Sequence, residues 1–124
     1  MRTHDYDLAV IGAGFAGLAC ARAAARRGLR VLVLDRKSEP GASVHTTGLA
    51  VKEAAERWEI PATLTRRVRG ARLYAPSLAT LDLVSPGYYF LATDTAALMR
   101  WLAREACRAG AHLRFARRYR GAVR

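Results

Sequence analysis

Apolar residues gather into two short unbroken runs, Leu8-Ala9-Val10-Ile11 and Val31-Leu32-Val33-Leu34, and between them they recur at helical spacing. Unbroken runs of this length suit strands covered on both faces of a parallel sheet, so strands are predicted over residues 6–11 and 30–35. Leu18, Ala21 and Ala25 fall on one stripe of the intervening segment and Arg22 and Arg26 on another, which predicts a helix over 14–27. Gly12 stops the first strand. Arg26 and Arg27 suit the negative end of the helix, and Gly28 supplies the left-handed position that closes it. The segment is a βαβ unit ending at Asp35.

Residues 36–47 turn polar and contain Pro40 and Gly41, which reads as loop. Val51 to Glu59 carries a short helical pattern ended by Pro61. Strand patterns follow at 69–74, 80–84 and 88–92, separated by Pro76-Ser77 and Pro86-Gly87, and predict an antiparallel meander within 60–92. Asp94 or Thr95 can cap a helix that runs through Leu98, Met99, Leu102 and Ala106 to Ala109 and stops at Gly110. Residues 112–116 make a third strand for the parallel sheet. The predicted fold is α/β: one domain over 1–124, a parallel sheet with flanking helices and a meander excursion.

A net charge of +11 changes this picture little. Of the 21 basic residues 19 are arginine, scattered through an alanine-rich chain, and the densest run (Arg114, Arg117, Arg118, Arg120, Arg124) lacks interleaved aromatic rings. Nucleic acid is therefore not the expected partner. Cys20 and Cys107 stand far apart, as do His4, His45 and His112, so neither a disulfide framework nor a metal site is expected. Two isolated thiols fit a reducing, cytoplasmic setting. The uncharged run from Leu8 to Ala21 follows Asp5 and Asp7, contains three glycines and is too short to span a bilayer, so no targeting or transmembrane segment is expected.

Candidate chemistry centres on Gly12-Ala13-Gly14-Phe15-Ala16-Gly17. The pattern is weak alone, but here it leaves a predicted strand, opens a predicted helix and is followed by an acidic residue, Asp35, at the end of the next strand. Gly12 allows the tight turn, Gly14 lets backbone approach a pyrophosphate, and Gly17 lets the helix pack low on the sheet. The helix N-terminus then faces phosphate. Asp35 can accept hydrogen bonds from ribose hydroxyls and repels a 2′-phosphate. The spacing is that of a Rossmann-like FAD/NAD(P)-binding fold, and NAD fits it as well as FAD.

Asp7 to Lys37 resembles the opening of FAD-dependent oxidoreductases of the geranylgeranyl reductase and para-hydroxybenzoate hydroxylase type. Ser38-Glu39-Pro40-Gly41, Thr46-Thr47-Gly48-Leu49 and the helix from Leu98 to Ala111 are similar to later parts of geranylgeranyl reductase-like proteins. The resemblance implies FAD as cofactor, NAD(P)H as electron donor and a small or lipid-like substrate. It also implies FAD contacts from Ala16, Asp35, Arg36, Thr46, Thr47 and Gly48. Many members carry an arginine just before the late helix, where this chain has Thr95.

Two features of that family are not found. A downstream Gly-Asp segment at the flavin end has no counterpart after Gly110, and the larger sheet domain that builds the substrate pocket is represented only by residues 69–92. The expectation is the FAD-binding part of a larger enzyme, in which no residue can be named as a catalytic acid or base, with a partner chain or further sequence completing the site. The alternatives are a stand-alone nucleotide-binding module and a basic nucleic-acid-binding protein.

Overall fold

The computed structural model describes residues 5–122; His4 and Arg124 lie outside them. The elements run β1 (Leu8–Ile11), α1 (Phe15–Arg26), β2 (Val31–Leu34), β3 (Leu49–Val51), α2 (Lys52–Arg57), β4 (Thr65–Val68), β5 (Gly70–Tyr74), β6 (Thr80–Val84), β7 (Phe90–Thr93), α3 (Thr95–Arg108) and β8 (His112–Arg114). The chain divides into two compact units, one made of the segments up to Val44 and from Ala96 onward, the other of His45–Thr95.

In the first unit the strands form a parallel sheet in the order β1-β2-β8, with Leu8 opposite Val31 and Leu32 opposite His112. Two crossovers, α1 and α3, supply helices whose small residues let them pack closely. Leu18, Ala21 and Ala25 of α1, Val31 and Val33 of β2, and Leu102, Ala103 and Ala106 of α3 form one buried cluster. The helices are also joined by Arg22, whose guanidinium lies 3.9 Å from Glu105 and 5.7 Å from the centre of the Trp101 ring. Both predicted helices and all three predicted parallel strands are present, so the α/β prediction holds. β1 differs from expectation in one respect. It is an edge strand, and its residues alternate half-buried and exposed, with Ile11 51% exposed, so one of its faces is left uncovered.

The second unit corrects the predicted meander. Its strands are antiparallel throughout, but β5 and β6 pair only with each other, while β7 pairs with β3 on one side and β4 on the other. Pro86-Gly87 does turn the chain, with Gly87 at φ +75°. A turn reverses direction only locally; the hydrogen-bonding partner of β7 is chosen by strands far away in sequence. Those partners, Leu49–Val51 and Thr65–Val68, are too short or too rich in arginine to announce themselves as strands.

Candidate functional site

The turn from β1 into α1 is built by its glycines. Gly12 sits at φ +102°, a conformation that favours glycine, and its N–H donates to the Leu34 carbonyl at 2.8 Å. At Gly17 a Cβ would overlap the carbonyl oxygen of Gly12 and come within 3.4 Å of Val10 Cγ1. The helix therefore starts directly on the strand it follows. Gly14, by contrast, has extended backbone and no atom within 4 Å of where its Cβ would stand. It is the N-cap of α1 and makes no side-chain cap hydrogen bond, and the first turn contains no acidic residue. Intrahelical bonding begins with Leu18 N–H to Gly14 O at 2.9 Å, so the amides of Phe15, Ala16 and Gly17 precede it. An open, uncapped, electropositive helix start of this kind can hold a phosphate. Ala13 is buried, Phe15 packs partly on the core and Ala16 is exposed.

Asp35, just beyond β2, closes the same site from the other side. Its Oδ2 accepts the Ala13 N–H at 2.7 Å and its Oδ1 accepts the Lys37 N–H at 2.8 Å. The carboxylate thus ties the glycine turn to the loop after β2. Each oxygen keeps a further lone pair for an outside donor. Arg36 beside it is exposed.

Sequence reasoning missed what lies next to Asp35. Its N–H donates to Arg114 O at 3.0 Å, its carbonyl accepts from Arg117 N–H at 2.9 Å, and Ala116 N–H donates to Lys37 O at 2.7 Å. Residues 114–117 thereby line the carboxyl end of β2. The available signal was topological: parallel strands bring their carboxyl ends, and the residues just after them, to one edge.

Thr46, Thr47 and Gly48 belong to the second unit. Gly48 has φ +68°, and its carbonyl accepts from both the Thr93 N–H at 2.8 Å and the Thr93 hydroxyl at 3.0 Å. A Cβ on Gly48 would lie 2.6 Å from Thr95 Oγ1. The hydroxyl of Thr95 thus packs against this glycine. Thr46 and Thr47 are exposed, and the Thr46 hydroxyl accepts a long 3.4 Å bond from Gly48 N–H.

Tyr88 and Tyr89 are engaged inside the second unit. Tyr88 donates to Glu53 at 3.0 Å, and partial desolvation together with that carboxylate pushes its phenol up from the ordinary value. The Arg67 guanidinium stacks 4.5 Å from the Tyr89 ring centre.

Comparison with known proteins shows the family. The family model described as FAD dependent oxidoreductase matches residues 7–124. A digeranylgeranylglycerophospholipid reductase of Methanosarcina acetivorans is 32% identical over 95% of the chain and 30% of its own length. A probable electron transfer flavoprotein-quinone oxidoreductase of Escherichia coli K12 is 34% identical over 86% of the chain and 27% of its own length. Among solved structures, a geranylgeranyl bacteriochlorophyll reductase-like protein from Thermoplasma acidophilum superposes with a TM-score of 0.75 at 28% identity, covering 90% of the chain and 30% of that protein. The chain thus spans about 30% of the length of these relatives. No helix among the described residues is long and apolar enough to cross a membrane.

Proposed function

The chain belongs to the FAD dependent oxidoreductase family, and we propose that it holds the ADP portion of FAD on the glycine turn and the carboxyl end of β2. The observation that carries this reading is the contrast between Gly17, where a Cβ would strike the Gly12 carbonyl, and Gly14, where it would meet nothing within 4 Å. One glycine serves packing; the other keeps a surface clear above an uncapped helix start. In this reading the pyrophosphate takes the amides at the start of α1, with Gly12, Ala13, Gly14, Phe15, Ala16 and Gly17 framing it. Asp35 accepts from the adenosine ribose while its other bonds hold Ala13 in place. Arg36, Thr46, Thr47 and Gly48 are further contacts.

Bound FAD supplies hydride and electron transfer, and the chain's own residues bind and orient it. For the whole enzyme we propose NAD(P)H as the donor, a small or lipid-like molecule as the substrate, reduction or monooxygenation as the reaction, and the cytoplasm as its location. The flavin end of the cofactor is then held by a partner chain or by further sequence.

Titration of the purified protein with FAD, followed by flavin fluorescence and by ADP competition, tests the nucleotide site. Gly14→Val is expected to lose FAD and ADP binding while its thermal midpoint stays close to that of the parent. Unchanged affinity in this variant would show that the pyrophosphate lies elsewhere.

A further inference from the structure

The unit that carries the glycine turn has a concave surface on α3 and β8. It is a shallow groove of about 570 Å³ with Pro40, Ala103, Leu113 and Phe115 as its apolar lining. Arg100, Arg104 and Arg108 line it as well, together with Cys107. The arginines recur every four residues, so they form one row about 12 Å long at a rise of about 1.5 Å per residue. All three are exposed. Arg108 donates to Glu105 at 2.7 Å, whereas among the described residues Arg100 and Arg104 have no acidic partner. Apart from Phe115, which lies in the segment beside Asp35, none of these residues belongs to the nucleotide site.

We propose that this groove docks the protein on an anionic lipid surface. The two halves of the feature call for different things: an apolar floor calls for hydrocarbon, and a row of guanidinium groups calls for phosphate. A lipid with an anionic head supplies both at once, and neither half alone gives stable association. A polynucleotide would leave the apolar floor against sugar and phosphate, without the stacking rings that such grooves use. Exposed Arg114, Arg117, Arg118 and Arg120 continue the cationic character directly after β8.

The two free cysteines make the test site-specific, because both are exposed and they lie on different helices, Cys20 on α1 and Cys107 on α3. The 124-residue protein is labelled at Cys107 with a polarity-sensitive fluorophore in a Cys20→Ser background, and at Cys20 in a Cys107→Ser background. Vesicles of phosphatidylglycerol with phosphatidylcholine should blue-shift the Cys107 label and leave the Cys20 label unmoved, and pure phosphatidylcholine should shift neither. Unlabelled protein should co-sediment with the anionic vesicles. R100Q/R104Q should weaken that partition about fivefold per arginine removed, while the charge-matched R26Q/R27Q weakens it less. Equal shifts at both cysteines, equal binding to uncharged vesicles, or equal losses in the two double variants would overturn the proposal. So would a Cys107 shift produced by polyglutamate or by single-stranded DNA at the same charge concentration but not by vesicles.

Discussion

The two units of this chain are built to opposite rules. Among the described residues every buried apolar one lies in the first unit, where Leu18, Ala21 and Ala106 reach 0% exposure, and none in the second is buried. The β5–β6 hairpin shows the contrast best. Its register puts Ala71, Leu73, Leu81 and Leu83 on one face and the Arg72–Asp82 ion pair on the other, yet Leu73 and Leu81 remain 51% and 57% exposed. An isolated two-stranded ribbon is marginal in water, and an ion pair whose partners are both 57% exposed adds little to it. Stability, and with it the precision of the glycine turn, therefore resides in the first unit. The alternation of polar and apolar residues makes a strand; a covered apolar face makes a core.

The largest effect should come from filling a space that the first unit cannot spare. Gly17→Ala is expected to cost about 3 kcal/mol or more in chemical denaturation, because the added carbon meets backbone rather than a side chain that can turn away. Leu18→Ala, at a fully buried position, should cost about 3 kcal/mol. Leu83→Ala, of identical chemistry on the hairpin, should change stability by no more than about 0.5 kcal/mol. If the two leucine variants prove equally costly, the contrast between the units is wrong. Hydrogen exchange sharpens the same comparison, with β2 amides protected far beyond those of β5 and β6.

Asp35→Ala stands between these extremes. It strands the amides of Ala13 and Lys37, at about 1–3 kcal/mol for each group left buried without a partner, and should weaken FAD binding in parallel. The smallest effect concerns pH. Hydrogen bonds from the Arg30 side chain and amide hold the Asp7 carboxyl at about 2, below its ordinary 3.8. A carboxyl depressed by folding stabilises the folded state above about pH 4, and that contribution disappears as pH falls through about 2. Asp7→Asn should flatten this acid limb in a pH series of denaturation midpoints. Arg72 lowers Asp82 in the same direction, and Asp82→Asn should change only hairpin exchange.

Half of the candidate site is legible in the amino-acid sequence. The strand, glycine turn, helix and acidic residue of Asp7 to Asp35 follow one another without interruption, so period and punctuation are enough to place them. Residues 114–117 lie beyond that reading, since their place beside Asp35 depends on a crossover from β2 to β8. The pairing of β7 lies beyond it for the same reason: Leu91 meets Ala50 and Arg67, partners 41 and 24 residues away.

By itself, then, the sequence determined the βαβ nucleotide unit, the helix expected over 95–109 and the parallel strand that follows it. These rest on local spacing, on steric rules for glycine and on the connection rules of parallel strands. Only the tertiary structure decided the rest. It made β1 an edge, sent β7 to β3 and β4, left the hairpin uncovered, and turned Asp35 from a ligand acceptor into the clasp of the glycine turn as well. Each of these is a choice among distant partners, made by which hydrogen bonds and apolar surfaces meet in space, and nothing in local periodicity encodes it.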